Sequence, residues 1–193
     1  MAMRTETVTR TIYTYAELLD SEQVSERAKE RASDRLRDMA WEPDMVTESL
    51  QQAAQEVLGE DAYVGILGWD AGRGQNVDFE AKYELPLVSS EWPDAPTFSM
   101  DGLYSPAYKV NLTRKARSDW GNEFFLYSVE DNEVQEAWSD SVAYERVYEF
   151  HRELESWLVG LAVSEIDHLN SDENIAAFAE ANEIEFDEHG DLV

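Results

Sequence analysis

The sequence predicts an α+β fold in which a small antiparallel sheet packs against several helices, including one long helix in the C-terminal half. Residues 76–85 alternate strictly between apolar and polar side chains, which is typical of an antiparallel strand with one wet face. Residues 140–170 instead carry apolar side chains three and four positions apart, the spacing of an amphipathic helix. The order strand, helix, helix, strands, helices, strand favours α+β.

The first sixty residues predict one strand and two helices. Val8 to Tyr15 is β-branched and aromatic, so we expect a strand there. The Asp-Ser pair at 20–21 is expected to cap a helix of about 18 residues. The Pro-Asp pair at 43–44 is suited to starting a second helix, which Gly59 can end in a left-handed conformation. The expected buried face of that second helix comprises Met45, Val46, Leu50, Ala53, Ala54, Val57 and Leu58.

The middle of the chain predicts the sheet. Tyr63 to Gly68 forms a short apolar strand, and the turn-rich residues 69–75 are expected to join it to the alternating strand in a hairpin. A long irregular loop follows over residues 86–104. Two further strands are expected at 107–112 and 123–129.

The C-terminal part predicts two helices and a last strand. The stripe of the long helix comprises Val147, Phe150, Leu154, Trp157, Leu158, Leu161 and Leu169. Ser171 or Asp172 then caps a short helix that ends near Asn182. Ile184 and Phe186 alternate with acidic residues in a closing strand, before a turn at residues 189–191.

Composition favours one folded, soluble domain over residues 1–193. Of the 193 residues, 43% are hydrophobic and 11% aromatic, which is enough for a buried core. There is no cysteine, so disulfides and thiolate chemistry are excluded and a reducing cytoplasm is expected. The N-terminus has no apolar signal-peptide segment, and no apolar run is long enough to span a membrane.

Charge is the property that departs most from the ordinary. The chain has 42 acidic and 15 basic residues, a net charge of −27. Residues 1–40 are nearly neutral at −1, whereas residues 41–100 carry −10 and residues 151–193 carry −11. Such a chain is repelled by nucleic acid and by anionic membranes and is attracted to basic protein surfaces. We therefore expect neither nucleic acid nor a membrane to be a direct partner.

Three stretches resemble a family of small phage-encoded proteins of unsettled role, sometimes labelled antitoxins of toxin–antitoxin stability systems. They are IYTYAELLDSEQVSERAKERASD at 12–34, GWDAGRGQNVDFEAKY at 68–83 and LNSDENIAAFAEANEIEFDEHGDL at 169–192. The resemblance keeps the order of the three stretches and spans most of the chain. It implies a phage or prophage origin and action inside a bacterial host, and it implies no established chemistry.

Catalytic and ligand-binding motifs are not found in the sequence. The three histidines, His151, His168 and His189, are not at metal-ligand spacing, and the C-terminal carboxylates do not fit a calcium-binding EF-hand loop. The turn at 72–74, Gly-Arg-Gly, could bind an anion through backbone N–H groups, although a tight turn also needs glycine. The sequence therefore predicts a non-enzymatic protein without a metal ion or cofactor.

The leading functional hypothesis is an acidic inhibitor that binds a basic, nucleic-acid-handling host protein as a DNA mimic, of the anti-CRISPR or anti-restriction type. A DNA duplex about 42 Å long, the expected width of this protein, carries roughly 25 phosphate charges. The candidate carboxylates form two rows, one of Asp78, Glu80 and Glu84, and one of Glu183, Glu185, Asp187, Glu188 and Asp191.

Three alternatives stay open at this point, one of them a catalytic or ligand-binding protein that uses the turn at residues 72–75. An antitoxin-like protein that neutralises a basic toxin would need the same acidic surface. A salt-adapted domain without mimicry would also be acidic, and 4 lysines against 11 arginines agree with it, whereas 26 Glu against 16 Asp do not. The sequence leaves the target and the oligomeric state open.

Overall fold

The chain divides into two compact units in the computed structural model, which describes residues 11–72, 75–87, 90–103, 108–115, 124–131 and 142–193. One unit comprises residues 1–42 and 165–193, and the other comprises residues 43–164. The described residues form five helices and two small antiparallel sheets, which confirms the α+β prediction. The single domain over residues 1–193 stays a prediction.

The elements of the described residues have the following bounds in chain order. They are β1 (Ile12–Thr14), α1 (Tyr15–Asp20), α2 (Glu26–Ala40), α3 (Pro43–Leu58), β2 (Tyr63–Asp70), β3 (Asn76–Leu85), β4 (Tyr108–Lys115), β5 (Phe124–Asp131), α4 (Val142–Leu169), α5 (Asp172–Ala181) and β6 (Glu185–Asp187).

The first unit packs α1, α2 and α5 around a fully buried apolar cluster. Leu18, Leu36, Ile175 and Phe186 are all completely inaccessible to solvent. Strands β1 and β6 pair antiparallel, with Ile12 opposite Asp187. Burial of four large apolar side chains contributes about 2 kcal/mol each, so this cluster can hold the two ends of the chain together.

The start of the chain differs from its prediction. Within the described residues, the strand expected over 8–15 ends at Thr14 as β1, because Thr14 and Glu17 form a capping box that starts a helix at Tyr15. Thr14 Oγ1 accepts a hydrogen bond from Glu17 N at 3.3 Å, and Glu17 Oε2 accepts one from Thr14 N at 2.9 Å. Residues 8–10 lie outside the described residues.

The predicted N-terminal cap of the helix that follows residues 20–21 was also wrong. The Asp-Ser pair at 20–21 ends α1, and Ser25 caps α2 instead by accepting a hydrogen bond from Ala28 N at 3.3 Å. A serine or an aspartate can cap a helix at either position. Helix α2 then buries Ala28, Ala32, Leu36 and Ala40.

The second unit is a four-stranded antiparallel sheet in the order β2-β3-β4-β5, covered by helices on one face. The alternation of β3 is confirmed, because its five apolar side chains, Val77, Phe79, Ala81, Tyr83 and Leu85, are all buried. Helix α4 reaches this face through His151, whose Nε2 lies 2.7 Å from the Tyr83 hydroxyl. Helix α3 contacts β2 at the hydrogen bond from Trp69 Nε1 to Thr47 Oγ1, 3.0 Å long.

The end of α3 and the start of α5 agree with the sequence pattern, whereas β2 extends to Asp70 and β4 to Lys115, beyond the predicted ends at residues 68 and 112. Gly59 ends α3 with a φ of +105°, and Ser171 caps α5. Met45 was wrongly assigned to the buried face of α3, since it is 51% exposed. It precedes Val46 by one residue, and one residue rotates a helical side chain by about 100° away from the buried stripe.

Candidate functional site

The carboxylates of the first predicted row alternate with the buried side chains of β3, and each has a neighbour. Asn76 Nδ2 donates to Asp78 Oδ1 at 3.2 Å, and the Tyr63 hydroxyl donates to Glu80 Oε1 at 2.5 Å. Glu84 Oε1 lies 3.8 Å from Lys109 Nζ. The hydrogen bond and the charge of Glu80 raise the pKa of Tyr63, so this phenol stays protonated as a donor.

One basic residue reduces the negative charge of this row. Lys82 lies between Glu80 and Glu84 on the same face of β3, because alternate residues of a strand point the same way. Asp78 also acts on α4, where burial raises the pKa of Glu155, the charge of Asp78 raises it further, and Arg152 lowers it. The row is therefore a mixed surface rather than a continuous line of charges like a phosphate backbone.

The second predicted row divides into carboxylates that hold a turn and carboxylates that are exposed to solvent. Asp187 Oδ1 accepts hydrogen bonds from the backbone N–H groups of His189 at 2.9 Å and Asp191 at 3.0 Å, which closes the last turn. Asp191 pairs with Arg35 at 2.5 Å and with Arg31 at 3.6 Å, both on α2. These two carboxylates hold the C-terminal turn in place.

The other three members of that row are exposed. Glu188 lies 3.7 Å from Nε2 of His189. Glu183 has a left-handed φ of +52° and Glu185 lies in β6, and both face a cleft of about 790 Å³ in the first unit. We call this cleft the α5 groove. Its acidic residues are Glu173, Glu180, Glu183 and Glu185, and its small and apolar residues include Tyr15, Ala16, Ala176, Ala177, Ala179 and Ile184.

Helix α5 supplies one wall of the α5 groove. Ile175 and Ala179 point into the core, four residues apart. Glu173, Ala176, Ala177 and Glu180 have the spacing i, i+3, i+4, i+7, which places them on one face, and all four are exposed. The wall is therefore an exposed Glu-Ala-Ala-Glu stripe, with two small side chains between two carboxylates.

Glu173 and Glu180 were not among the sequence-predicted site residues. The signal that could have found them is the same i, i+3, i+4, i+7 spacing, measured from the acidic residues of α5 rather than from its apolar ones. Acidic and apolar residues alternate around Ile184 and Phe186, and this alternation indicates Glu183 and Glu185. It carries no information about the helix beside them.

The basic side chains of α2 are largely neutralised within their own unit. Lys29 pairs with Glu26 at 3.2 Å, and Arg37 pairs with Asp34 and Asp172, both at 3.1 Å. Arg31 and Arg35 share Asp191, as described above. In contrast, none of the four acidic residues of the α5 groove forms an ion pair with any residue in the ranges that the structure describes.

No family model, curated protein or solved structure matches this chain. Among the described residues, no three His, Asp or Glu side chains are placed to hold a metal ion. Within the same ranges, no helix has the length and apolar composition needed to cross a membrane. What the α5 groove can do therefore follows from its own groups, which are exposed carboxylates that accept hydrogen bonds and attract cations.

Proposed function

We propose that this protein is a non-enzymatic inhibitor that binds a basic, nucleic-acid-handling protein of a bacterial host. The observation that carries the proposal is the α5 groove, where four exposed glutamates surround small side chains and have no ion pair in the described part of the chain. In this proposal, the carboxylates occupy the places of nucleic-acid phosphates on the target. Blocking a host defence of the CRISPR or restriction type is the expected setting.

The net charge of −27 would act before contact is made. A field of this size steers a basic protein toward the acidic one and raises the association rate, an effect that falls as salt screens the charges. Exposed charge pairs contribute little affinity individually, so the complementary shape of the groove must supply the rest. Attraction and shape together would select a basic surface that also fits between α5 and β6.

The α5 groove supports this proposal better than the β3 row does. Lys82 on β3 and Lys109 on the neighbouring β4 lie beside these carboxylates and would repel a basic partner. A protein that neutralises a basic toxin would use the same groove, and the identity of the captured partner distinguishes the two functions.

The proposal predicts that the groove glutamates, and not acidity in general, determine which proteins are captured. The full chain would be immobilised and exposed to bacterial lysate at about 50 mM salt, where screening is weak. Replacing Glu173, Glu180, Glu183 and Glu185 with glutamine should reduce capture of a basic nucleic-acid-binding protein by about tenfold or more, the size of change that loss of about 1.4 kcal/mol produces. Captured proteins would be identified by mass spectrometry.

A matched variant controls for net charge. Glu22, Glu48, Glu149 and Glu153 are exposed and lie outside the groove, and their replacement by glutamine removes the same four charges. This control should keep its partner. Equal losses in both variants, or retention in both, would exclude the groove as the binding surface. Capture of a toxin that handles no nucleic acid would favour the antitoxin function.

A further inference from the structure

We infer that the α5 groove receives a basic amphipathic α-helix of the partner, with its positive residues seven positions apart. This inference rests on the proposed function for the existence of a basic partner, and it adds how that partner is recognised. A helix that binds in a groove does so through its own anchors at i, i+3, i+4 and i+7. The exposed stripe of α5, with Glu173 and Glu180 at its ends and Ala176 and Ala177 between them, gives such a helix a straight wall to lie along.

The length of the stripe sets the spacing of the partner's charges. A helix rises about 1.5 Å per residue, so the seven-residue step from Glu173 to Glu180 spans about 10.5 Å. Two helices packed at a small crossing angle run nearly alongside each other. A partner helix with Lys or Arg seven residues apart would therefore place one cation near each glutamate.

The small side chains of the stripe determine how closely that helix can approach. Ala176 and Ala177 are exposed and carry only a methyl group, so they leave space for larger apolar side chains of the partner. Ile184 is partly exposed at the opposite wall and offers an apolar contact there. Long Lys and Arg side chains can lay their methylene groups over the alanines while their charged ends reach the carboxylates.

Charge complementarity favours a helix of another protein over other occupants. Glu183 and Glu185 add two carboxylates to the wall opposite α5, so the occupant has acidic residues on both sides. A nucleic acid would be repelled by them, and a second copy of this chain would bring its own charge of −27. An added strand is disfavoured because β1 and β6 have only three residues each and offer a short edge.

The test uses two synthetic peptides and the full chain. The first peptide is an amphipathic helix of about 18 residues with Lys at every seventh position and Leu at the intervening i+3 and i+4 positions. The second has the same composition and charge, with Lys five residues apart and Leu dispersed. Fluorescence anisotropy at about 50 mM salt should show the first peptide binding tenfold or more tightly than the second.

Variants of the α5 wall separate shape from charge. Ala176→Gln together with Ala177→Gln places larger side chains in the groove without changing its charge, and it should weaken binding of the first peptide about tenfold. Ala181→Gln makes the same change at an exposed position of α5 that does not line the groove, and it should leave binding unchanged. Circular dichroism would establish that all three proteins are equally helical.

The outcomes distinguish this inference from the proposed function. Equal affinity for both peptides would overturn the helix inference, because only total charge would then matter. The same conclusion would follow if the Ala176→Gln, Ala177→Gln variant bound the first peptide as tightly as the native protein does. If the peptides are discriminated as expected but no basic protein is captured from lysate, the helix inference is supported and the proposed inhibitor function fails.

Discussion

Replacing Gly190 with alanine is expected to destabilise the first unit by about 3 kcal/mol, the combined cost of a strained backbone and an overpacked contact. Gly190 has a φ of +74°, where an L side chain is strained. A Cβ added there would lie well inside van der Waals contact with the carbonyl oxygen of Ala28 on α2, and 3.0 Å from the carbonyl carbon. Because the obstacle is helix backbone, it cannot rotate away. The midpoint temperature of thermal unfolding should fall by on the order of 10 °C.

Two other glycines provide controls that separate strain from collision. Gly59 has a φ of +105° but open space where a Cβ would lie, so Gly59→Ala should cost only about 1 kcal/mol of strain. Gly160 lies inside α4 with open space and a helical backbone, so Gly160→Ala should stabilise by about 0.5–1 kcal/mol. If Gly190→Ala costs no more than Gly59→Ala, the close approach of the C-terminal turn to α2 is refuted.

The elements with a strong repeat over many residues could be predicted from the sequence. Strand β3 alternates over ten residues and the apolar stripe of α4 runs from Val147 to Leu169, so one misplaced residue does not change either pattern. Short elements carry less information. Helix α1 has six residues and directly follows β1, and its capping box lies within a segment rich in β-branched and aromatic residues.

The roles of the acidic residues could be predicted only in part. Asp191 is neutralised by Arg35, which is 156 residues away in the sequence, so no local pattern indicates the pair. Asp187 differs, because an Asp followed two residues later by a glycine-containing turn is a recognised local motif. Glu183 and Glu185 were predicted from alternation, whereas Glu173 and Glu180 join them only when α5 packs beside β6.

The second large effect concerns acid pH and His151. This side chain is 3% exposed on α4, and its ring lies 5.7 Å from that of Tyr83 and 6.0 Å from that of Phe79. Burial lowers the pKa of His151 from 6.5 to about 3, because the charged imidazolium would lose its hydration among these rings. The native protein therefore holds the histidine neutral well below the pH at which an unfolded chain protonates it.

This difference predicts the direction of the pH dependence. Well above pH 6.5, His151 is neutral in both the folded and the unfolded protein, and its contribution to stability is complete. As pH falls from 6.5 toward 3, the unfolded state binds the proton first, and stability falls by about 1.4 kcal/mol per pH unit. At pH 5 the loss is roughly 2 kcal/mol. Carboxylates that become protonated relieve repulsion in this acidic chain and act in the opposite direction, so the histidine must be isolated by a variant.

His151→Gln isolates it, because an amide can still bond the Tyr83 hydroxyl and does not titrate. Denaturant unfolding at pH 7, 6 and 5 should show the native protein losing roughly 2 kcal/mol more than this variant between pH 7 and pH 5. His168→Gln, at an exposed position of the same helix, controls for removing a histidine from α4. Parallel pH profiles for native and His151→Gln proteins would mean that the unfolded and folded states bind this proton equally. In that case burial against Tyr83 would not be the source of acid sensitivity.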